Sequence, residues 1–286
     1  MNTKTPPKYI MTTQSADRTG IVAALTGCLS RHDGFIHELA QFGTPSSERF
    51  FSRICFSIAA ETRAALDADL ARVCAEFDLN TQIIPQARPT KALIMVSKFD
   101  HCLNDLIYRH RAGLLNIDIV GIVSNHGTHK AEIEARGHTF HHIPVTAKGK
   151  PQAEAALRAL AEETQTELIV LARYMQILSA DMCRDFSGRI INIHHSFLPG
   201  FKGAKPYDRA YERGVKLIGA TAHYVTADLD EGPIIEQSVE RVDHSHTPRR
   251  LVALGRDVEA RTLARAVKLH SEHRVFLNGI KTVILP

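Results

Sequence analysis

Two side chains that can stabilise a developing negative charge, Asn192 and His194, lie two residues apart, and a carboxylate, Asp230, follows in a Leu-Asp-Glu-Gly-Pro turn. In a β-strand, residues i and i+2 point to the same face, so the amide and the imidazole would aim at one spot. A protonated imidazole and an amide can both donate to the oxyanion of an acyl-transfer intermediate. A nearby carboxylate can keep the imidazole charged or accept a proton. The three residues therefore predict an acyl-transfer site that needs no serine or cysteine nucleophile.

The chain around these residues has the pattern of a mostly parallel, Rossmann-like sheet. Continuous apolar runs, typical of strands buried on both faces, alternate with helical segments such as 151–164. Ligands of such sheets bind at the carboxyl ends of the strands. A strand over 189–193 would place Asn192 and His194 at that end. The other apolar runs cover 92–96, 117–123 and 168–172.

Two longer strands are predicted on either side of the Asp230 turn, over 216–225 and 234–242. Thr247 has the position of an N-cap before Pro248, which suits the first residue of a helix. Apolar periodicity predicts that this helix continues to about residue 273. A hairpin around Asn278-Gly279 would close the chain. We therefore assign 91–286 to one catalytic α/β domain.

The first part of the chain, 1–86, has a different pattern. A strand over 8–14 precedes a helix that starts near Asp17, and strands over 35–42 and 49–59 follow. A second helix carries an apolar stripe from Leu66 to Phe77, and a strand over 81–85 ends the unit. The order βαββαβ predicts a ferredoxin-like fold. Residues 86–90 form the predicted linker.

Composition excludes several classes of protein. The net charge of +4 is spread without a Lys/Arg block, which argues against nucleic acid as a partner. No apolar run approaches the roughly 20 residues of a membrane helix, and the N-terminus does not resemble a signal peptide. Five scattered cysteines without a CxxC pair predict reduced thiols in the cytoplasm. The 16 histidines do not have the spacing of a metal site, so no metal is predicted.

The catalytic part resembles the folate-dependent formyltransferase family. The resemblance rests on the Asn192/His194 pair, on Leu198-Pro199 and Phe201-Lys202-Gly203, and on Asp230 before Gly232. It implies that Asn192, His194 and Asp230 are the catalytic residues. It also implies that two segments hold the folate, with His195 as a further substrate contact. The residues of these segments are Tyr174, Met175, Gln176, Ile177 and Leu178, then Thr226, Ala227, Asp228 and Leu229.

One departure from the family pattern bears on the reaction. The family's transformylases carry a Gly-rich loop after the first strand, which cradles a substrate phosphate, whereas Val96–Asp105 contains no glycine. The chain as a whole resembles members in which water accepts the formyl group of 10-formyltetrahydrofolate, giving formate and tetrahydrofolate. Asp230 would then orient and deprotonate the water, and His194 and Asn192 would stabilise the oxyanion. Such an enzyme needs no cofactor, supplies formate for purine biosynthesis and balances the one-carbon folate pools.

The N-terminal part resembles the ACT domains, regulatory modules that commonly bind amino acids. Asp17, Arg18, Thr19 and Gly20, at the first strand-to-helix turn, carry the resemblance and would bind an amino-acid effector. The alternative is a dimerisation domain without a ligand. A homodimer or homotetramer is expected. Two other functions stay open: a formyltransferase with an amine acceptor, and a catalytically silent folate or amino-acid sensor. Release of formate without an added amine would separate them from hydrolysis.

Overall fold

The computed structural model describes residues 6–44, 48–146, 148–198 and 206–286. The chain divides into two compact units. The first runs to Arg88 and also takes in Glu272–Phe276 and Val283–Pro286; the second comprises Pro89–Ser271 and Leu277–Thr282. The predicted catalytic domain of 91–286 therefore differs from this division at its C-terminal end, part of which groups with the N-terminal unit.

The first unit has the predicted order βαββαβ, and its four strands form an antiparallel sheet in the order β2-β3-β1-β4. Apolar residues at helical spacing on α1, such as Ile21, Leu25 and Leu29, pack with strand residues in one core. A second cluster joins Phe51 to Phe276 and Leu285, which explains why the chain's last residues belong here. The elements are β1 Lys8–Ala16, α1 Ile21–Arg31, β2 Phe35–Thr44, β3 Arg49–Ser57, α2 Arg63–Phe77 and β4 Asn80–Pro85.

The second unit is built on a seven-stranded sheet in the order β11-β10-β9-β8-β5-β6-β7. Strands β7, β6, β5, β8 and β9 are parallel neighbours, whereas β10 and β11 pair antiparallel. The strands are β5 Thr90–Val96, β6 Ile117–Ser124, β7 Phe140–His142, β8 Leu168–Leu171, β9 Ile190–His194, β10 Leu217–Tyr224 and β11 Ile234–Arg241. The mostly parallel sheet predicted from the apolar runs is confirmed.

Helices connect these strands, and the longest, α8, was predicted from its apolar periodicity. The helices are α3 His101–Arg111, α4 Lys130–Ala135, α5 Lys150–Glu163, α6 Ala180–Asp185, α7 Pro206–Arg213 and α8 Pro248–Ser271. A hairpin of β12 Val275–Asn278 and β13 Lys281–Ile284 ends the chain, as predicted. Among the described residues, none of the helices is long and apolar enough to cross a membrane.

The position of the functional site follows from the strand order. Strand β5 lies between β6 and β8. The chain runs from β5 outward to β6 and β7 and then crosses back to β8 on the other side of β5. At such a switch point the connections separate and leave a crevice outside the carboxyl ends of the strands. Strands β8 and β9 end beside this crevice, and the segments that follow β8 and β10 carry most of the predicted catalytic and folate-binding residues.

Candidate active site

Strand β9 presents Asn192 and His194 on one face of the sheet. Its antiparallel neighbour β10 places His223 directly opposite Asn192 and Thr221 opposite His194. Directly opposed residues of antiparallel strands project from the same face. The pairing therefore adds a second imidazole, that of His223, to the predicted pair.

The turn after β10 brings Asp230 back over these strands. Asp230 has a φ of 57°, a left-handed conformation that aspartate tolerates better than most residues. Gly232 lies so close to β10 that a Cβ atom there would be 1.7 Å from the Tyr224 carbonyl oxygen. The Tyr224 N–H donates to the Pro233 carbonyl at 2.9 Å, which fixes the end of the turn. The Leu-Asp-Glu-Gly-Pro sequence thus returns a carboxylate to the face that carries the amide and the imidazoles.

The three predicted catalytic residues lie together with His223. His194 Nδ1 is 3.1 Å from Asp230 Oδ2, and His223 Nε2 is 3.6 Å from Asp230 Oδ1. Asn192 Nδ2 lies 3.4 Å from His223 Nε2. His223 Nδ1 is 2.9 Å from the Tyr224 carbonyl oxygen, which can only accept, so this nitrogen carries a proton. His223 therefore contacts both the amide and the carboxylate.

The electrostatics keep Asp230 ionised. Burial alone would raise the pKa of Asp230, but the imidazoles of His194 and His223 beside it outweigh burial and hold that pKa well below its usual range. Each carboxylate oxygen faces one imidazole. The other ring nitrogen of His194, Nε2, is buried and has no hydrogen-bond partner within the described part of the chain. A buried polar atom without a partner is costly in a folded protein, which indicates that a ligand completes this site.

These residues line a cavity of about 620 Å³, a size typical of small-molecule sites. Every predicted folate contact lies on its wall. Met175, Ile177 and Leu229 are more than half exposed there, which is unusual for large apolar side chains clustered on one surface. The predicted contacts are Tyr174, Met175, Gln176, Ile177, Leu178, His195, Thr226, Ala227, Asp228 and Leu229.

The segment after β8 is held at both ends. The Met175 N–H donates to Ser97 Oγ at 2.9 Å, and the Ser97 hydroxyl donates to Asn125 Oδ1 at 2.7 Å. At the other end, Ser179 caps α6 by accepting from the Met182 N–H at 3.2 Å. The hydroxyl and N–H of Ser179 both donate to Glu154. The apolar side chains of this segment therefore rest on a fixed backbone.

The remaining predicted residues lie elsewhere. Asp17, Arg18, Thr19 and Gly20 are at the start of α1 in the first unit, where Gly20 has a φ of 99°. The family motif residues Pro199 and Phe201-Lys202-Gly203 lie outside the described residues.

Sequence reasoning missed three residues of this region: His223, Arg173 and Glu259. His223 lies in the predicted strand before the Asp230 turn, but its position opposite Asn192 depends on the register of β10 against β9. Arg173 follows β8, lines the cavity and has a φ of 64°. Glu259 is buried on α8, where it pairs with Arg173 and His101. None of these pairings is local in sequence.

Two groups of described residues bring potential metal ligands within 4.8 Å of one another: His101 with Cys102 and Glu259, and Asp100 with His129 and Glu132. In the first group, Glu259 already contacts the guanidinium of Arg173, a cation that disfavours a second positive charge. Burial raises the pKa of the Cys102 thiol well above its usual value, so it is not a thiolate. The absence of a metal stays a prediction.

Comparisons with known proteins agree with the fold of the second unit. Residues 90–267 match the family model described as Formyl transferase. A formyltetrahydrofolate deformylase of Corynebacterium sp. (strain P-1) is 51% identical over 97% of this chain and 98% of that protein. One from Bacillus subtilis (strain 168) is 45% identical, over 94% and 90%. The crystal structure of a formyltetrahydrofolate deformylase from Burkholderia mallei superposes with a TM-score of 0.94 at 51% identity, covering 98% of this chain and all of that one.

The second unit is thus a formyl transferase domain, the class that its parallel sheet and strand-end site define. Within that class the chain belongs to the formyltetrahydrofolate deformylase family. The predicted family resemblance and the prediction of an enzyme are confirmed.

Proposed function

We propose that the protein hydrolyses 10-formyltetrahydrofolate to formate and tetrahydrofolate. One observation carries the proposal beyond the family name. His194 presents a buried ring nitrogen without a partner, in a cavity that also holds Asn192 and an ionised Asp230. This is the arrangement needed to receive an oxyanion and to polarise water beside it.

The reaction begins with attack of water on the formyl carbon. The new C–O bond forms as the carbonyl π bond breaks, and the negative charge collects on the formyl oxygen. We assign the donors for that oxygen to His194 Nε2–H and to the amide of Asn192. A well-placed donor of this kind is worth about 10²–10³ in rate. The tetrahedral intermediate then collapses by breaking the C–N bond, and the departing N10 takes up a proton.

Asp230 has two tasks in this mechanism. It accepts the Nδ1–H of His194 and balances the positive charge of the imidazolium that donates from Nε2. Each carboxylate oxygen has two lone-pair sites, so the contacts with His194 and His223 leave room to accept from the attacking water. The depressed pKa makes Asp230 a weak resting base. It therefore takes the water's proton only as the C–O bond forms, and a proton passes on to N10.

Water is preferred over a phosphorylated amine as the acceptor because no glycine-rich loop follows β5. The chain goes directly from Val96 through a short connection into α3, which begins at His101. His101 donates from Nε2 to the Glu259 carboxylate at 2.9 Å, so the first turn of α3 is tied to α8. A phosphate cradle normally needs several backbone N–H groups freed by glycine.

Two further parts of the proposal concern the first unit: an amino-acid effector at residues 17–20, and assembly into a homodimer or homotetramer. Its edge strand β2 is ten residues long and exposes Phe35, Leu39 and Phe42. An exposed apolar edge strand favours pairing with another copy. We also place the enzyme in the cytoplasm, supplying formate to purine biosynthesis and balancing the folate pools.

The test is formate release from 10-formyltetrahydrofolate by the purified protein without any amine. Formate is followed with a coupled formate dehydrogenase assay, and tetrahydrofolate by chromatography. Hydrolysis predicts equal amounts of the two products over many turnovers, with loss in a His194→Ala variant. Binding of the folate without turnover, and product formation only when an amine such as glycinamide ribonucleotide is added, would refute hydrolysis in favour of transfer.

A further inference from the structure

Arg173 occupies an unusual backbone position beside the active site. It follows β8 and adopts a φ of 64°, in the left-handed region that disfavours long side chains. Strained residues of this kind cluster where the surrounding structure holds a side chain in place for function. Arg173 lines the catalytic cavity, yet the mechanism above does not use it.

The guanidinium of Arg173 is held by a buried carboxylate. Its Nε forms an ion pair with Glu259 Oε2 at 3.3 Å, without the geometry of a hydrogen bond, and Glu259 is only 2% exposed. Glu259 also accepts from His101 Nε2 at 2.9 Å and from the Tyr207 hydroxyl at 2.7 Å. Burial alone would raise the pKa of Glu259, but His101, Arg173 and Tyr207 outweigh it and lower that pKa. The anchor is therefore a carboxylate with three partners.

On its other side the same guanidinium contacts His195. Arg173 Nη1 lies 2.8 Å from His195 Nδ1. A guanidinium has no acceptor and does not lose its proton, so Nδ1 must offer a lone pair. The proton of a neutral ring is then on Nε2. A second proton on Nδ1 would remove the acceptor and place two positive charges face to face.

His195 in turn lies against the catalytic imidazole. The rings of His194 and His195 are stacked, with centroids 4.9 Å apart and planes inclined by 22°. A charged His195 would repel the imidazolium form of His194, which the oxyanion requires in the proposed function. A neutral His195 leaves Asp230 as the charge that acts on His194.

We propose that Arg173, anchored by Glu259, is a positioning residue that holds His195 as the neutral Nε2–H tautomer, so that His194 alone carries the positive charge of the stacked pair. The effect on the reaction rests on the proposed function, whereas the tautomer does not. At metal sites, loss of the outer partner that orients a histidine costs about 10- to 100-fold in activity, and we expect an effect of the same size here.

The tautomer is read first in the wild-type protein. With ¹⁵N-labelled histidine, long-range ¹H–¹⁵N correlation spectra distinguish a protonated from an unprotonated ring nitrogen, and a His195→Gln variant assigns the signal. We expect an unprotonated Nδ1 and a protonated Nε2 on His195 between pH 5.5 and 8. A His195 ring protonated at Nδ1 at pH 7 would overturn the proposal, whether or not the protein hydrolyses folate. This arm needs no Arg173 variant.

Kinetics then test the consequence. Arg173→Met should lower kcat about 10- to 100-fold, with the folate KM within about threefold. Its pH profile should gain an ionisation near the ordinary histidine pKa of about 6.5, because His195 can now be protonated. Arg173→Lys restores a cationic donor and should recover part of kcat and remove the extra ionisation. Arg158→Met is the matched control, since Arg158 pairs with Asp185 at 2.9 Å on the exposed surface of the same unit.

A merely structural role would give a different pattern. In that case Arg173→Met would lose activity without any change in the pH profile or in the His195 tautomer, and Arg173→Lys would not rescue it. That pattern would overturn the proposal. Glu259→Gln serves as the second variant should Arg173→Met not fold. It should move both the tautomer equilibrium and the pH profile in the direction of Arg173→Met, and unchanged readouts would count against the anchor.

Discussion

Replacing Asp230 with asparagine removes one charge and leaves the fold of the turn intact. Asparagine suits the left-handed φ of 57° at this position as well as aspartate does. The substitution loses the carboxylate that lies 3.1 Å from His194 Nδ1. A hydrogen bond to a charged group contributes about 1.5–3 kcal/mol, and its loss from the transition state corresponds to roughly 10- to 150-fold in rate. Loss of the proton acceptor for water should lower the rate by about 10²- to 10⁴-fold.

The two effects act on one step and do not simply multiply. We therefore expect Asp230→Asn to lower kcat roughly 10³-fold, while the folate KM changes little. The assay is formate release without an amine, with folate binding measured separately by titration calorimetry. Glu231→Gln is the matched control, because Glu231 is the exposed acid next in the same turn. If Asp230→Asn keeps turnover within tenfold of wild type, Asp230 neither acts through His194 nor takes the proton from water.

Three further predictions follow from the same geometry. Asn192→Ala removes one oxyanion donor and should lower kcat about 10²- to 10³-fold at unchanged KM, measured in the formate assay. Ile177→Ser removes an apolar contact of the cavity wall, about 1.5 kcal/mol, and should raise the folate KM roughly tenfold while kcat is kept. Asp230 and Glu259 have depressed pKa values in the folded protein, so the unfolded chain takes up their protons first as the pH falls. Their stabilisation is present above the unfolded pKa of about 4 and is lost as the pH falls below it. The urea concentration at half-unfolding should therefore decrease when the pH is lowered from 7 to 3, and it should decrease less in Asp230→Asn than in the wild type.

The parts of the fold that sequence predicted are those set by local patterns. The buried runs of β5, β6 and β8 read as continuous apolar stretches because both faces of a parallel sheet are covered. The spacing of Asn192 and His194 predicted that they share a face of the strand. The tendency of ligands to bind at the carboxyl ends of parallel strands predicted the position of the cavity. The short helices α4 and α6 and the three-residue strand β7 were not predicted, because six or fewer residues are too few for a periodic pattern.

The site residues that were not predicted from the sequence were missed for a different reason. His223 reaches the site through the register of two antiparallel strands, and no local pattern encodes that register. Glu259 is an acid within a helix, a type expected at the surface, and only its three distant partners explain its burial. Arg173 adopts a conformation for which glycine would be the usual choice. Local rules fail here where non-local contacts impose the conformation, which is typical of functional sites.

The arrangement of charge across the site explains why these non-local residues belong to it. A site that stabilises an oxyanion with one imidazolium must keep that proton on the correct ring among several stacked or neighbouring imidazoles. Asp230 supplies the negative charge next to His194, and the carbonyl of Tyr224 fixes one nitrogen of His223. For His195 the opposite is needed, and a guanidinium at 2.8 Å opposes its protonation. The cation that does so must itself be neutralised in a buried place, which requires a carboxylate such as that of Glu259. In the proposed mechanism the catalytic trio therefore requires a second, more deeply buried charge pair, because one histidine has to be charged while the ring stacked on it stays neutral.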